Sequence, residues 1–357
     1  MKNYAAGATA CPTLPPSADP WWWRGRFRLR SQTNQAFFQV IQFHESAANL
    51  QRLSKCMWSN LKTISNFAFQ AAPMFWRKVQ EERKRPVNFS PKIPDLSRWS
   101  DKGVYAAWIG HSTVLLRVDG FTILTDPVLS TRIGIGIGPL VIGLKRLVHP
   151  AMSIKDLPAP DLVLLSHAHM DHFDLPSLRK LENPRTTVVT AVGTSDLLRV
   201  GNYSSVRELR WDEACQVGPA RIQAFEVRHW GARMQTDTHR GYNGYLIESG
   251  RYRIIFGGDT AYTDTFRTVR SSRPVDLAIM PIGAYDPWIR AHCNPEQALA
   301  MANHAGADLV LPVHHQTFKL SNEPLKEPIE RLLTAAGSGE YRVPIRNIGD
   351  EMTLAFA

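Results

Sequence analysis

Cysteine is scarce: Cys11, Cys56, Cys215 and Cys293 stand far apart in 357 residues and form no Cys-x-x-Cys pair. So few thiols exclude a disulfide framework in a chain of this length, and a reducing compartment is the expected setting. Long apolar runs are also missing, since about 18 consecutive apolar residues mark a membrane-crossing helix and none occurs. The first 30 residues lack the apolar stretch of a secretory signal, because prolines, arginines and Trp21-Trp22-Trp23 interrupt it. The expectation is a protein of the cytoplasm, or one lying on the cytoplasmic face of a membrane, without a spanning helix.

Net charge is absent from most of the chain. Residues 101–357 carry 27 Lys/Arg and 27 Asp/Glu, whereas residues 1–100 carry 15 against 5, so the whole formal charge of +10 lies in the first part. A basic excess of this kind favours an anionic partner. Nucleic acid is not the expected one, because the larger part has no net positive charge. Residues 1–20 are small, polar and Pro-rich, a composition that cannot offset ordering entropy by burial, and they are expected to be disordered. From Trp21 to Arg85 aromatics interleave with Lys and Arg, and residues 35–82 read as largely helical. Interfacial helices have this composition, as aromatics settle among lipid headgroups while cations meet anionic lipid. A helical arm packed on the domain or on a second subunit would have it too. Prolines at 86, 91 and 94 punctuate the end of this leader. The expected division is therefore 1–20, a leader over 21–95, and one α/β domain over 96–357, which at roughly 250 residues can bury a full core.

Within that domain Val104–Ile109, Thr113–Val118 and Phe121–Thr125 read as strands, and Asp119-Gly120 suits a tight hairpin between the last two. Further strands are expected at Asp161–Ser166, Thr186–Thr190, Arg221–Val227, Tyr242–Glu248 and Arg251–Gly257, with interior ones at Asp276–Met280 and Leu309–Val313. Helices are expected at Leu175–Leu181, Pro295–Ala305 and around Leu325–Ala335. Asn294 can cap the second, proline suits its first position, and Gln297 completes a capping box. A meander followed by alternating strands and helices implies sheets covered by helices. The Gly134–Leu144 run is too short to span a bilayer and too apolar for a solvated loop; a lid or an acyl-chain contact fits it. Its Gly-x-Gly-x-Gly string lacks the strand, turn and lysine of a phosphate-binding loop, so no nucleotide site is expected.

The chemistry is concentrated directly after one buried strand, in His167-Ala168-His169-Met170-Asp171-His172. Imidazole and carboxylate together are what zinc and similar borderline metals prefer. On extended backbone His167 and His169 point to one side, while Asp171 and His172 can turn towards a second ion. One short loop can thus serve two sites.

This His-x-His-x-Asp-His loop resembles the signature of the metallo-β-lactamase superfamily. Trp108-Ile109-Gly110-His111-Ser112-Thr113, Leu124-Thr125-Asp126-Pro127, Phe256-Gly257-Gly258-Asp259-Thr260 and Pro281-Ile282-Gly283-Ala284-Tyr285 extend the resemblance over residues 85–325. They are similar to its N-acyl-phosphatidylethanolamine-hydrolysing, phospholipase D-like branch, and also to bacterial proteins labelled outer-membrane or β-lactamase-like. The resemblance implies a four-layer αββα sandwich and two divalent metals, most simply Zn2+, with Mn2+ or Fe2+ as alternatives. It places His167, His169, His229 and Asp259 around one ion and Asp171, His172, Asp259 and His314 around the other, with Asp259 bridging. His314 is preferred to His315 by counting back from Phe318. Asp126 is implied as a support behind the metal loop, and a homodimer is implied as the assembly.

Of the other histidines, the resemblance sets His292 beside the substrate, where it polarises a phosphoryl oxygen or protonates a leaving group. His111 faces the metal pocket or satisfies backbone in a turn, with equal weight. Met170, Cys293 and His315 replace the branch's tyrosine, aliphatic residue and tryptophan, and are expected along the pocket. His44, His149, His239 and His304 are read as surface or satisfied core. Two divalent ions lower the pKa of bound water towards about 7 and hold a phosphodiester's oxygens, with Asp171 and Asp259 orienting the resulting hydroxide. The expected activity is phosphodiester hydrolysis on a lipid-like substrate. Ester, lactone or thioester hydrolysis by the same site is the second reading, and a membrane-attached, non-catalytic binding protein the third.

Overall fold

The computed structural model describes residues 84–354 apart from 138–139, 235 and 272. The expected disordered start and nearly all of the expected leader, including His44, lie outside the described residues. Strands β1 (Val104–Gly110), β2 (Thr113–Val118) and β3 (Phe121–Thr125) are followed by β4 (Arg132–Ile137), β5 (Leu140–Lys145), β6 (Leu162–Leu164), β7 (Thr187–Ala191) and β8 (Ser205–Leu209). The second half holds β9 (Ala214–Val217), β10 (Ala220–Phe225), β11 (Gly244–Ser249), β12 (Tyr252–Phe256), β13 (Val275–Pro281), β14 (Ala307–Val313) and β15 (Glu351–Leu354). Four α-helices accompany them among the described residues: α1 (Leu175–Lys180), α2 (Phe266–Val269), α3 (Pro295–Ala305) and α4 (Glu327–Ala336).

Seven strands form one sheet in the order β15-β1-β2-β3-β6-β7-β8, and six form another in the order β14-β13-β12-β11-β10-β9. The expected opening meander is present, β1–β2–β3 pairing antiparallel, with Asp119 and Gly120 at φ +47° and +84° in the hairpin turn. From β3 onwards the first sheet is parallel, as is β12-β13-β14 in the second.

Alternation along each strand sends side chains to two different cores. Trp108, Leu116 and Leu164 of the first sheet meet Ile222, Tyr245, Ile254 and Leu277 of the second in one cluster between the sheets. The opposite face of the second sheet, with Ile255, Ala278 and Val310, packs on α3 and α4 through Leu299, Ala302 and Leu332. The outer face of the first sheet, with Val163 and Val188, packs on α1 through Leu178. The layers therefore run helix, sheet, sheet, helix, as the expected αββα sandwich requires.

Some elements differ from the sequence reading. Gly134–Leu144 is neither loop nor helix but most of the β4–β5 hairpin, which stands apart from both sheets with Ile135 and Ile142 exposed. Strands β8, β9 and β15 were not anticipated. They are short sheet-edge segments whose residues alternate only partly, so they lack a clean period. Leu309–Val313 is apolar, yet β14 lies at a sheet edge rather than in the interior; α3 and the inter-sheet core cover its two faces, which accounts for the composition.

Helix α3 starts as its sequence dictates. The Asn294 side chain accepts from Gln297 N at 2.9 Å, and Gln297 Oε1 accepts from Asn294 N at 3.2 Å. Asn294→Ala is expected to cost about 1 kcal/mol and Asn294→Asp much less. Thermal melting reads the difference, and equal melting temperatures for all three proteins would contradict the cap's role.

Candidate metal centre

Parallel strands ending at the same rim bring their following residues to one seam, the usual place for function on such sheets. β3 ends one residue before Asp126, β6 ends three residues before His167, β12 ends three residues before Asp259, and β14 runs directly into His314. Two strands come from each sheet, so the seam between the sheets collects all four segments. His229 arrives on the segment after β10, and His292 on the turn before α3.

The imidazoles are oriented from behind. Asp126, fully buried, accepts from His172 Nδ1 at 2.6 Å, from Ser166 Oγ at 2.6 Å and from Ser166 N at 2.8 Å. The Ser166 hydroxyl proton is thus committed to Asp126, so its oxygen accepts from His167 Nδ1 at 2.8 Å. His229 Nδ1 donates to Ala291 O at 2.9 Å. In each of these three rings the Nδ1 proton is fixed, so Nε2 is the nitrogen turned to the cluster. Burial raises the Asp126 carboxyl pKa, against the pull of these hydrogen bonds.

His167 Nε2 and His229 Nε2 both point at His169 Nδ1, at 2.8 and 3.2 Å. Three converging nitrogens share at most one proton, whereas one cation would satisfy all three. Burial holds these imidazoles neutral, the form that binds metal, with His169 lowered to about 4 and His167 and His229 lowered well below the ordinary value. Beside them, Asp259 Oδ2 lies 3.1 Å from His172 Nε2, 3.1 Å from His314 Nε2, 3.7 Å from His292 Nδ1 and 3.9 Å from His229 Nε2. Asp171 Oδ2 lies 3.4 Å from His314 Nε2 and 3.7 Å from His172 Nε2.

Charge balance points the same way. Burial opposes charge on His172 and His314, but Asp259 and Asp171 outweigh it and hold both imidazoles above their ordinary value, His314 at about 9. Burial likewise opposes ionisation of the two carboxyls, and the neighbouring imidazoles, His172 first, hold both well below the usual range. Two buried carboxylates demand positive charge at this spot, and a divalent cation supplies it without protonating a ligand. His172 Nε2, His314 Nε2, His292 Nδ1 and Asp259 Oδ1 are buried without a hydrogen-bond partner. Among the groups that could therefore hold a metal are His167 with His169 and His229, and Asp171 with His111, His172 and His314, with Asp259 between them. The donor set fits.

All seven residues that the sequence pointed to as ligands are thus brought to one place, with His292 beside them and Asp126 behind. Met170, Cys293 and His315, expected along the pocket, and His111, weighed evenly between pocket and turn, do not line the pocket over the cluster. A pocket of about 210 Å³ opens over the cluster, walled by Trp230, Ala284, Trp288, His292 and Leu320, with His169, Asp171, Asp259 and His314 also lining it. Cys293 is instead in the core under α3, its Sγ donating to Pro281 O at 3.2 Å. His315 stacks on Trp108 with ring centroids 4.5 Å apart and borders a neighbouring cavity. Met170 is half-buried on the turn of the metal loop. His111 is buried behind Asp171, its Nε2 3.2 Å from Asp171 Oδ2, with its backbone in the turn between β1 and β2. Trp288 and Leu320 were not foreseen; neither belongs to a spacing pattern, and only the fold brings them over the cluster.

Asp126→Asn removes an acceptor that serves three donors, and its new amide N–H₂ faces donors instead. Metal affinity measured by calorimetry is expected to fall about 10–100-fold, as for other residues that orient ligands. Gly283 approaches so closely that a Cβ would lie 2.2 Å from His314 O. Gly283→Ala is therefore expected to displace His314 and weaken metal binding as well; unchanged affinity in both variants would contradict the geometry.

Residues 122–315 match the beta-lactamase superfamily domain. An uncharacterized protein of Mycobacterium tuberculosis is 35% identical over 251 residues, covering 68% of this chain and 67% of its own. The N-acyl-phosphatidylethanolamine-hydrolyzing phospholipase D 1 of Caenorhabditis elegans is 30% identical over 251 residues, covering 65% of this chain and 70% of its own. Among solved structures, a metallo hydrolase from Ignicoccus hospitalis superposes with a TM-score of 0.54 at 19% identity, over 72% of this chain and 100% of that one, which shows a common fold. The chain belongs to the beta-lactamase superfamily and is a metal-dependent hydrolase of the metallo-β-lactamase fold.

Proposed function

We propose that the protein is a phosphodiesterase of the phospholipase D type, acting on N-acyl-phosphatidylethanolamine or a related amphipathic phosphodiester. The observation that carries this is the pairing of a polar floor with an apolar wall: the imidazole-carboxylate cluster lies beneath Trp230, Trp288 and Leu320 in one pocket. A phosphodiester with a greasy substituent matches both parts. The similarity to the C. elegans phospholipase supports the same choice.

In this reading His167, His169, His229 and Asp259 hold one divalent ion, and Asp171, His172, Asp259 and His314 the other, zinc being the simplest choice for such donors. Bound divalent cations supply Lewis acidity and lower the pKa of water towards about 7. Asp171 and Asp259, facing the pocket, orient the attacking water by accepting its hydrogen bonds. His292, buried in the pocket wall, polarises a phosphoryl oxygen or protonates the leaving group. Trp230 and Trp288 exclude water and seat the apolar substituent.

No helix among the described residues is long and apolar enough to cross a membrane. Contact with lipid is assigned instead to the basic, aromatic residues 21–85. Replacing Arg24, Arg26, Arg28 and Arg30 by Gln in the full chain is expected to reduce sedimentation with anionic vesicles; equal pelleting would remove the leader from this role.

Activity is tested by purifying the chain with its metals, measuring their stoichiometry, and assaying N-acyl-phosphatidylethanolamine, simple phosphodiesters and acyl-lactones. Release of phosphatidic acid, abolished by chelation and by His169→Ala, is expected. Cleavage of lactones with no phosphodiester turnover would replace this reading with carbonyl hydrolysis.

A further inference from the structure

Asp259 is gripped by several imidazoles, but Asp171 sits at the mouth, its side chain 15% exposed. Its Oδ2 meets His111 Nε2 at 3.2 Å, His314 Nε2 at 3.4 Å and His172 Nε2 at 3.7 Å. The last two nitrogens face the cation site. His111 Nε2 lies close enough to join them around an ion, but its hydrogen bond to Asp171 Oδ2 gives it a role that needs no ligation.

His111 is built to stay where it is. Its backbone has φ +55°, a left-handed conformation that L side chains disfavour. Its N–H donates to Thr317 Oγ1 at 2.7 Å, and its carbonyl accepts from Trp108 Nε1 at 2.8 Å and from His314 N at 3.1 Å. The ring is 1% exposed, 4.3 Å from the His314 ring and edge-on to Phe318 at 5.2 Å. Strain that persists under so many constraints is found where geometry must be pre-set. The turn between β1 and β2 could have used glycine; an imidazole there is explained by what its ring touches.

We propose that His111 is a positioning residue for Asp171. Its Nε2–H holds Oδ2 and fixes the carboxylate rotamer, leaving the remaining lone pairs to a divalent cation. This rests on Asp171 being a ligand. The sequence reading set His111 against the metal pocket or in a turn; here the turn is the means by which the ring reaches the carboxylate.

The test titrates full-length, metal-stripped protein with Co2+ and Zn2+, following heat and the cobalt absorption spectrum, for the parent, His111→Gly, His111→Gln and Asp171→Ala. Glycine suits the left-handed backbone while deleting the ring, and glutamine keeps an N–H donor at similar reach. His111→Gly is expected to bind two ions, one of them about 10–100-fold more weakly, with an unchanged number of nitrogen ligands in the spectrum. His111→Gln is expected to recover most of that loss, and His111→Gly is expected to add no further loss in an Asp171→Ala background. Unchanged affinity in His111→Gly, a loss that persists without Asp171, or a spectrum showing one nitrogen ligand fewer would each overturn the proposal. Two ions bound at parental affinity by Asp171→Ala would instead remove Asp171 from the ligands, which is a separate failure. Should His111→Gly not fold, His111→Asn, also tolerant of this backbone but too short to reach Asp171, replaces it.

Discussion

An ionised carboxylate almost wholly buried at the rim between two β-sheets is the constraint around which the rest is arranged. Asp259 is 3% exposed and has imidazoles on several sides. Removing such a group from water costs several kcal/mol unless positive charge accompanies it. The fold answers by ending strands of both sheets at one rim, so that bases converge there from different segments. It also turns three of the rings before a cation arrives: Asp126, Ser166 and the Ala291 carbonyl take the Nδ1 protons of His172, His167 and His229, so that Nε2 faces inward. Pre-setting of this kind spares reorganisation when the ion binds.

The same arrangement explains why the chain gives so much structure to so few residues. The outer cores, with α1 on one side and α3 with α4 on the other, bury ordinary aliphatic surface. Their task is to hold two stiff sheets in register. The rim residues then inherit positions fixed by strand pairing, and only short turns, at positive φ in His111, Asp126 and His314, adjust their aim.

Much of this was legible beforehand, and the reason differs by element. Helix α3 announced its start through Asn294, Pro295 and Gln297, because capping is a local interaction. The 167–172 loop was legible because six consecutive residues carry four donors. His229, Asp259 and His314 are single residues in unremarkable surroundings, and only resemblance singled them out. The pocket wall was illegible for a physical reason: Trp230, Trp288 and Leu320 come together through tertiary packing, and no period in the sequence encodes that. Cys293 shows the converse error, since a residue one position from a pocket histidine turned its side chain into the core. The leader's composition was readable, but its structure lies outside the described residues.

The cluster draws on segments spread from Asp126 to His314, with both sheets represented. His314 lies far along the chain from Asp126 and on the other sheet, so the donors of neither sheet complete the cage alone. Binding of an ion would therefore report that the two sheets have come together, because either one alone offers only part of the donor set.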